Sequence, residues 1–314
     1  MLVLLATLGV AGLHWLTSRY DRTVAKEQLL APAARNKRTD LDGALNYLLI
    51  GSDHRPGANP EDQRSDSILI VHVPAGMRQA YLISVPRDLL VALPAAPGFP
   101  GGQDKVNAAY EHGGGGEGGA RLLSTTLSRL TGIRFDGAAL VDFSGFKQVI
   151  DQLGGIRMCV DTPVRSIHTR HQFDAGCQQM DGARTLDYVR QRYDLPGGDY
   201  DRQRHQQQML RAVLDRAGET RLRSDPVKLD RVLRAAGGAL TVDTNGVPLD
   251  ELLFALRGLP ADALRGVQVP SYPQTIDGVS YVVLDNGGGG LFTALRDTRV
   301  PEWAGANPRW VNRL

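Results

Sequence analysis

The chain has 314 residues, 42% of them hydrophobic and 22% charged, with a formal net charge of +2. That composition excludes a disordered chain, and so slight a charge excludes nucleic-acid binding through bulk charge alone. The length allows one large domain or two small ones, with ample material for a core.

The N-terminus is apolar from Met1 to Leu16, and Arg19 and Arg22 follow. A helix of this length falls a little short of the ~30 Å hydrocarbon layer. No basic residue precedes it and no small-x-small cleavage site follows. Residues 1–18 read as a signal anchor whose cytoplasmic charges lie upstream of Met1, a core helix being the alternative. The anchor reading predicts a single membrane span with the remainder extracytoplasmic. Residues 19–44 are polar, with Pro32 and the cations Arg35, Lys37 and Arg38. They read as a membrane-proximal stalk.

Folded sequence begins near Ala44. The segments 45-LNYLLIG-51, 67-SILIVHV-73 and 80-AYLISV-85 are apolar runs stopped by Gly or Pro, and predict three strands. A helix is expected near 104–111 and a loop over the glycine run 113–119. Leu123, Leu127 and Leu130 share a helical face that ends at Gly132. A strand, 138-AALVDF-143, precedes a helix with Phe146, Val149, Ile150 and Leu153 at helical spacing. That face suits the core or one wall of a lipid groove.

Cys159 and Cys177 flank a polar loop. In an exported protein such a pair reads as one disulfide. The rival is a zinc site built from Cys159, His168, His171 and Cys177, although only His168 and His171 approach the close ligand pair such sites offer. Two unpaired thiols remain if the chain is not exported. Farther on, helices are expected over 181–190, from Asp199 or Asp201, over 225–240 and over 248–258. Strands are expected over 266–270 and 280–284, a loop at 287-GGGG-290, a helix at 291–297 and a loose tail over 301–314. There is no internal repeat and no Pro- or Ser-rich linker after residue 44, so residues 45–300 read as one α/β domain.

The chemistry concentrates in two places. Asp53 and Arg55 follow the first strand, Arg64 and Asp66 precede the second, and Arg87 and Asp88 follow the third. An antiparallel meander brings all six to one end of the sheet. Two carboxylates there repel unless a cation or arginines intervene. They suit Mg²⁺, or Mn²⁺ on the same oxygens, with phosphate completing the shell. The alternative is an ion-pair network closing the sheet. The second place is 188-YVRQRYDLPGGDYDRQRHQQQ-208, which holds Arg190, Arg192, Arg202 and Arg204. Guanidinium forks match phosphate oxygens two at a time. Asp187, Asp194, Asp199 and Asp201 could instead pair with them in a solvated helical hairpin. Arg190 and Arg192 can reach one ligand only if the helix ends between them. Arg202 and Gln206 share a face on the next helix, and Arg204 points elsewhere.

The blocks GSDHR at 51–55, RSDS at 64–67, PRD at 86–88, KVNAAY at 105–110, VDFSGF at 141–146, LGG at 153–155 and YVRQRY followed by GD, Arg202 and the glutamines run in one order over residues 45–300. Taken together they resemble the LytR-CpsA-Psr family, and the anchor and cysteine pair suit its actinobacterial branch. The resemblance implies a three-layer α/β/α fold with a central mixed, largely antiparallel sheet and a deep apolar groove for lipid. It implies an extracytoplasmic, Mg²⁺-dependent phosphotransferase at the cell membrane. Such an enzyme moves a glycopolymer from a polyprenyl-pyrophosphate carrier onto a peptidoglycan sugar hydroxyl, forming a phosphodiester. By motif, Asp53 and Asp66 would hold the metal. Arg64, Arg87, Arg190, Arg192, Arg202 and Gln206 would contact the pyrophosphate, with Lys105 and Asn107 near the site. Asp53 or Asp88 would take the hydroxyl proton. His205 stands where the family has arginine, and Asp201 where glycine is common. A polyprenyl-pyrophosphate hydrolase, a non-catalytic lipid-glycan binder and a regulator are the alternative functions. No helix-turn-helix or one-sided basic face supports DNA binding.

Overall fold

The computed structural model describes residues 25–38, 40–52, 65–220, 240–248 and 258–312, together with short pieces between 222 and 237, Glu251 and Leu314. The expected anchor, part of the stalk, Asp53, Arg55, Arg64 and most of the expected helices 225–240 and 248–258 lie outside the described residues.

In chain order the strands are β1 (Ala25–Lys26), β2 (Leu45–Ser52), β3 (Ser65–Val73), β4 (Ala80–Ser84), β5 (Leu90–Leu93) and β6 (Gly102–Lys105). Then come β7 (Gly137–Asp142), β8 (Ile156–Val160), β9 (Val164–Arg165), β10 (Gln172–Phe173) and β11 (Gly176–Met180). The last are β12 (Leu240–Asp243), β13 (Leu264–Gln268), β14 (Ser271–Ile276), β15 (Val279–Leu284) and β16 (Val311–Asn312). The helices are α1 (Ala108–His112), α2 (Gly116–Thr131), α3 (Phe143–Gln152), α4 (Gly182–Val189), α5 (Asp199–Glu219), α6 (Asn286–Arg296) and α7 (Val300–Ala306).

Among the described residues the central sheet has eight strands in the order β1-β12-β7-β2-β3-β4-β13-β16. β2, β3 and β4 form the antiparallel meander, while β7 runs parallel to β2 and β13 parallel to β4, so the sheet is mixed. Alternation along the meander builds three layers. Leu48, Ile50, Ile68, Ile70, Tyr81 and Ile83 enter one core with Leu123 and Leu127 of α2 and Leu291 and Leu295 of α6. Leu45, Leu69, Val73, Ala80 and Leu82 face the other side, where Leu210 and Leu214 of α5 pack. A smaller core gathers Ile150, Met158, Val160, Phe173, Tyr188 and Met209 beneath the β8–β11 pair.

The structure corrects several expectations. The glycine run 287–290 is helical throughout, whereas in 113–119 Gly113, Gly114 and Gly115 form the expected turn and the helix begins at Gly116. In α1–α2 a Cβ on Gly119 would stand 2.4 Å from the Tyr110 carbonyl oxygen, and one on Gly113 2.6 Å from that of Gly118. The glycines are there because two backbones meet, and the cost of glycine in a helix is offset by that contact. In α6 the run is nucleated by Asp285, whose side chain accepts from the Gly287 N–H. The stalk is partly domain: Leu29, Leu30 and Ala34 are fully buried, and Arg35 holds both oxygens of Asp243, at 3.0 and 2.6 Å. The tail is not loose either. Ala304 is buried in the main core, and β16 pairs with β13 at the sheet edge.

Cys159 and Cys177 are direct cross-strand neighbours on β8 and β11 and are joined in a disulfide. His171 lies 3.1 Å from Arg184, and among the described residues no cluster of three or more His, Cys, Asp or Glu could hold a metal. The zinc alternative is thereby set aside for this loop. No helix among the described residues is long and apolar enough to cross a membrane.

Candidate functional site

Strands β2 and β4 leave the sheet at the end where β3 enters it. The β2–β3 register slips between Gly51 and Ser52, which places Asp66 at an irregularity beside Ser67. β4 runs on through Val85, whose N–H reaches the Ile68 carbonyl at 3.0 Å, into Arg87. The meander thus sets Arg87 against Asp66, and the two form an ion pair. Beyond it, Asp88 lies 3.6 Å from Arg87 Nε and 3.0 Å from Lys105 Nζ. Backbone bonds from Val106 to Leu89 and from Asn107 to Arg87 fasten the 105–107 segment to this turn. Lys105 therefore enters the charge cluster, whereas Asn107 is a buried structural neighbour.

The arginine segment closes over the same spot. α4 is capped by Asp181, which accepts from Arg184 N at 2.8 Å, and it stops at Val189 with Arg190 as its C-cap. α5 begins after Gly198, whose φ of 55° suits glycine, and Asp201 reaches back to the Gly197 N–H at 2.7 Å. One pocket results, lined by Asp66, Arg87, Arg190, Arg192, Arg202 and Gln206, with Ile167, His168 and Tyr193 completing its wall. The helix ends at its C-cap Arg190, so Arg192 lies beyond it and both reach the pocket, and Arg202 and Gln206 do share a face. Arg204 is turned away, paired with Asp161 and, at 3.0 Å, with Asp201.

The pocket is electrostatically loaded. Arg202 is 5% exposed and bonds Asp199 at 2.7 Å. Burial lowers its pKa, Asp199 opposes that, and the charges of Arg87 and Arg192 add to it. Burial also works against the charge of Arg87, but Asp66, Asp88 and Asp199 outweigh it and hold its pKa above the ordinary value. The Nε groups of both Arg87 and Arg202 are buried without a hydrogen-bond partner. Crowded guanidiniums with unspent donors are what an anion site requires.

A second cavity, an apolar groove open to solvent, runs beneath α4 and α5. Leu49, Leu69, Phe146, Val189, Met209 and Leu210 line it, and so do Arg190 and Gln206. The two cavities therefore share a wall, on which Gln206 accepts from Ser67 at 2.9 Å.

Sequence reasoning missed the loop that supplies Ile167 and His168. Asp187, read as an arginine partner, instead takes Ser166, Thr169 and Gln191, and so pins that loop against the pocket. An Asp–Ser pair separated by twenty-one positions leaves no local signal. His205 is 1% exposed and stacks on Tyr188 with ring centroids 4.5 Å apart. Burial, then Arg204, pushes its pKa down to about 4, so position 205 gives the pocket no cation.

Comparison with known proteins agrees with this architecture. The chain is 32% identical to the probable cell wall biosynthesis protein LcpB of Corynebacterium glutamicum over 258 residues, covering 78% of this chain and 58% of that one. It therefore spans little more than half the length of that relative. It is 27% identical to the polyisoprenyl-teichoic acid–peptidoglycan teichoic acid transferase TagU of Oceanobacillus iheyensis, over 77% of this chain and 72% of that one. The crystal structure of protein gbs0355 from Streptococcus agalactiae superposes with a TM-score of 0.69 at 22% identity, covering 81% of this chain and 87% of that one. A sequence profile of the LytR_cpsA_psr family matches residues 15–288, so the chain belongs to that family.

Proposed function

We propose that the protein is an extracytoplasmic phosphotransferase, held at the cell membrane by its N-terminal segment. It moves a glycopolymer from a polyprenyl-pyrophosphate carrier onto a peptidoglycan sugar hydroxyl and forms a phosphodiester. The observation that carries this reading is the wall shared by two unlike cavities: Arg190 and Gln206 belong both to the apolar groove and to the arginine pocket. A polyprenyl pyrophosphate has that same division, a long hydrocarbon joined to a compact polyanion. Family membership and the named activity of TagU support the assignment.

In this reading the groove takes the isoprenoid chain, while Arg87, Arg190, Arg192 and Arg202, with Arg64, take the phosphates. Their crowding, unfavourable alone, is relieved by the ligand's charge. The acceptor hydroxyl oxygen bonds the glycan-side phosphorus, and the bond from that phosphorus to the bridging oxygen breaks. Polyprenyl phosphate leaves, and the hydroxyl proton passes to a carboxylate, Asp53 or Asp88. Asp88 stands at the edge of the arginine cluster, 3.6 Å from Arg87 Nε and 3.0 Å from Lys105 Nζ.

Asp66, the metal ligand that lies among the described residues, has acceptor capacity left for a divalent cation. Arg87 occupies Oδ1 of Asp66, and a carboxylate carries about four lone-pair sites on two oxygens. Asp66 can therefore serve guanidinium and metal together, with Asp53 as the second ligand. Mg²⁺ bound there, or Mn²⁺, would neutralise charge on the phosphate oxygens.

The test is product analysis with the full chain, a short polyprenyl-pyrophosphate glycan and a peptidoglycan fragment, with Mg²⁺ or chelator, beside Arg87→Ala and Arg64→Ala. A glycan–phosphate–peptidoglycan product that depends on metal and arginine is expected. Release of the glycan that ignores the acceptor would make the protein a hydrolase instead.

A further inference from the structure

The described residues expose four large hydrophobic side chains: Tyr193, Tyr272, Val279 and Ile167, at 50, 49, 44 and 39%. Ile167 and Tyr193 line the arginine pocket. Tyr272 and Val279 lie on the β14–β15 hairpin, which is docked on the Asp88 turn: the Val282 N–H donates to the Asp88 carbonyl at 2.9 Å, and Leu89 bridges Val282.

The hairpin's register sorts its side chains. Tyr272 faces Val283, Gln274 faces Tyr281, and Ile276 faces Val279. Opposed residues share a face and alternate residues return to it, so all six lie on one side. Val282 and Leu284, on the other side, pack on the main core. The first side is thus an open stripe of two tyrosines around an amide. It adjoins the charge cluster, because Lys105 Nζ sits 5.7 Å from the centre of the Tyr281 ring and 3.0 Å from Asp88.

We propose that this stripe, centred on Tyr272 and Tyr281, is the binding platform for the acceptor glycan. The inference rests on the transferase reading above and deepens it. In a phosphoryl displacement the attacking and leaving oxygens lie roughly in line across the phosphorus. The leaving polyprenyl phosphate belongs to the groove, and the groove touches the arginine pocket through Arg190 and Gln206. The acceptor oxygen enters from the opposite side. From Arg190 and Gln206 the pocket continues to Arg87, and from Arg87 ion pairs lead to Asp88, to Lys105 and so to Tyr281. Charge selects the kind of glycan. No Lys or Arg occurs from Ser271 to Leu284, and Asp277 stands at the turn. The hairpin brings no cation of its own, and Lys105 at its edge is paired with Asp88, so the face lacks the basic cluster that an anionic polymer or bilayer would need. It suits an uncharged amino-sugar backbone, whose C–H faces lie on aromatic rings while its hydroxyl and amide groups meet Gln274.

The experiment titrates a short soluble peptidoglycan glycan fragment into the full chain by NMR or calorimetry, and measures transfer kinetics on the same variants. Tyr272→Ala and Tyr281→Ala should each weaken fragment binding by about 3- to 10-fold and raise the acceptor KM to match, with kcat at saturating acceptor held. Tyr281→Trp should retain binding, and so should Thr275→Ala on the hairpin's other face. Unchanged fragment affinity in both alanine variants overturns the platform. So does a wild-type protein that transfers donor glycan to peptidoglycan yet never binds the fragment, an outcome that leaves the transferase standing. A wild-type protein that neither binds nor turns over donor removes the transferase reading and the platform with it. If Tyr272→Ala lost sedimentation with phosphatidylglycerol vesicles but kept fragment binding, the stripe would be a membrane contact and the proposal wrong.

Discussion

The guanidinium of Arg202 shares one pocket wall with that of Arg87, and after burial and the opposing pull of Asp199, the charge of Arg87 is the next influence on its pKa. The pair is poorly arranged for stability and well arranged for an anion. Arg202→Met removes one buried charge at similar volume, and Asp199 keeps Gln203 at 3.0 Å. Asp199 loses its 2.7 Å partner but is a quarter exposed, so the empty protein should lose only about 1–2 kcal/mol, less than a fully buried orphaned charge costs. Inorganic pyrophosphate should bind more than about tenfold more weakly, a loss of about 1.4 kcal/mol or more. Paired denaturation and calorimetric titrations check both halves. A variant that lost several kcal/mol without ligand would show that Arg202 is structural.

The disulfide and the pocket are coupled through one loop. Cys159 and Cys177 close the segment that carries Ile167 and His168 into the pocket wall. The double Cys159→Ser, Cys177→Ser variant should lose about 3 kcal/mol of stability, chiefly from the loop entropy returned to the unfolded chain. Pyrophosphate affinity should fall as well, because the wall that seals the arginines from water is loosened. Thermal melts with and without reductant, run beside ligand titrations, separate the two effects.

Two histidines set an acid limit. Burial pushes His72 down to about 4, and burial with Arg204 pushes His205 to the same level, against an ordinary value of 6.5. A buried histidine that resists protonation contributes its stability above pH 6.5, where both states are neutral. Below that, the unfolded chain binds protons that the folded chain refuses, and the stability is lost progressively down to about pH 4. Each histidine should contribute on the order of 1–3 kcal/mol to this fall. His205→Phe, which keeps the stacking on Tyr188, should flatten the curve between pH 6.5 and 4. Urea midpoints across that range measure it, and an unchanged slope would refute the assignment.

The β2–β3–β4 meander was legible because each strand is a short Val/Ile/Leu run stopped by Gly or Pro, and its topology alone brings Asp66 and Arg87 together. The end of α4 was legible from LPGG. What escaped depended on distant partners. Position 119 is glycine because the Tyr110 carbonyl lies where a side chain would be, and no window around 113–119 contains that fact. Residues 29–35 look like a polar stalk until Asp243, more than two hundred positions away, meets Arg35 and the Leu30 N–H. The C-terminal strand joins the sheet only through β13. The pocket's outer wall, Ile167 and His168, depends on the Asp187 network for the same reason.

Gln206 and Gln207 are chain neighbours with opposite duties. Gln206 accepts from Ser67 on the wall between groove and arginine pocket. Gln207 is wholly buried and fastens α5 to the sheet: the two hydrogens of its amide nitrogen are shared among the Leu82 carbonyl, Ser84 Oγ and the Val267 carbonyl, at 2.9 to 3.0 Å. Its oxygen accepts from Asn312 at 2.9 Å, and Gly266 leaves it room, since a Cβ there would stand 2.1 Å away. Gln207→Ala should cost about 2–4 kcal/mol, because several buried groups lose their partner and a cavity remains. Gln206→Ala should leave stability within about 0.5–1 kcal/mol of wild type and instead weaken binding of a polyprenyl pyrophosphate. Denaturant midpoints for both variants, set against lipid-ligand titrations of each, provide the comparison. Equal stability losses at the two positions would mean that Gln206 also holds the helix, and its place at the shared wall would then carry no functional weight.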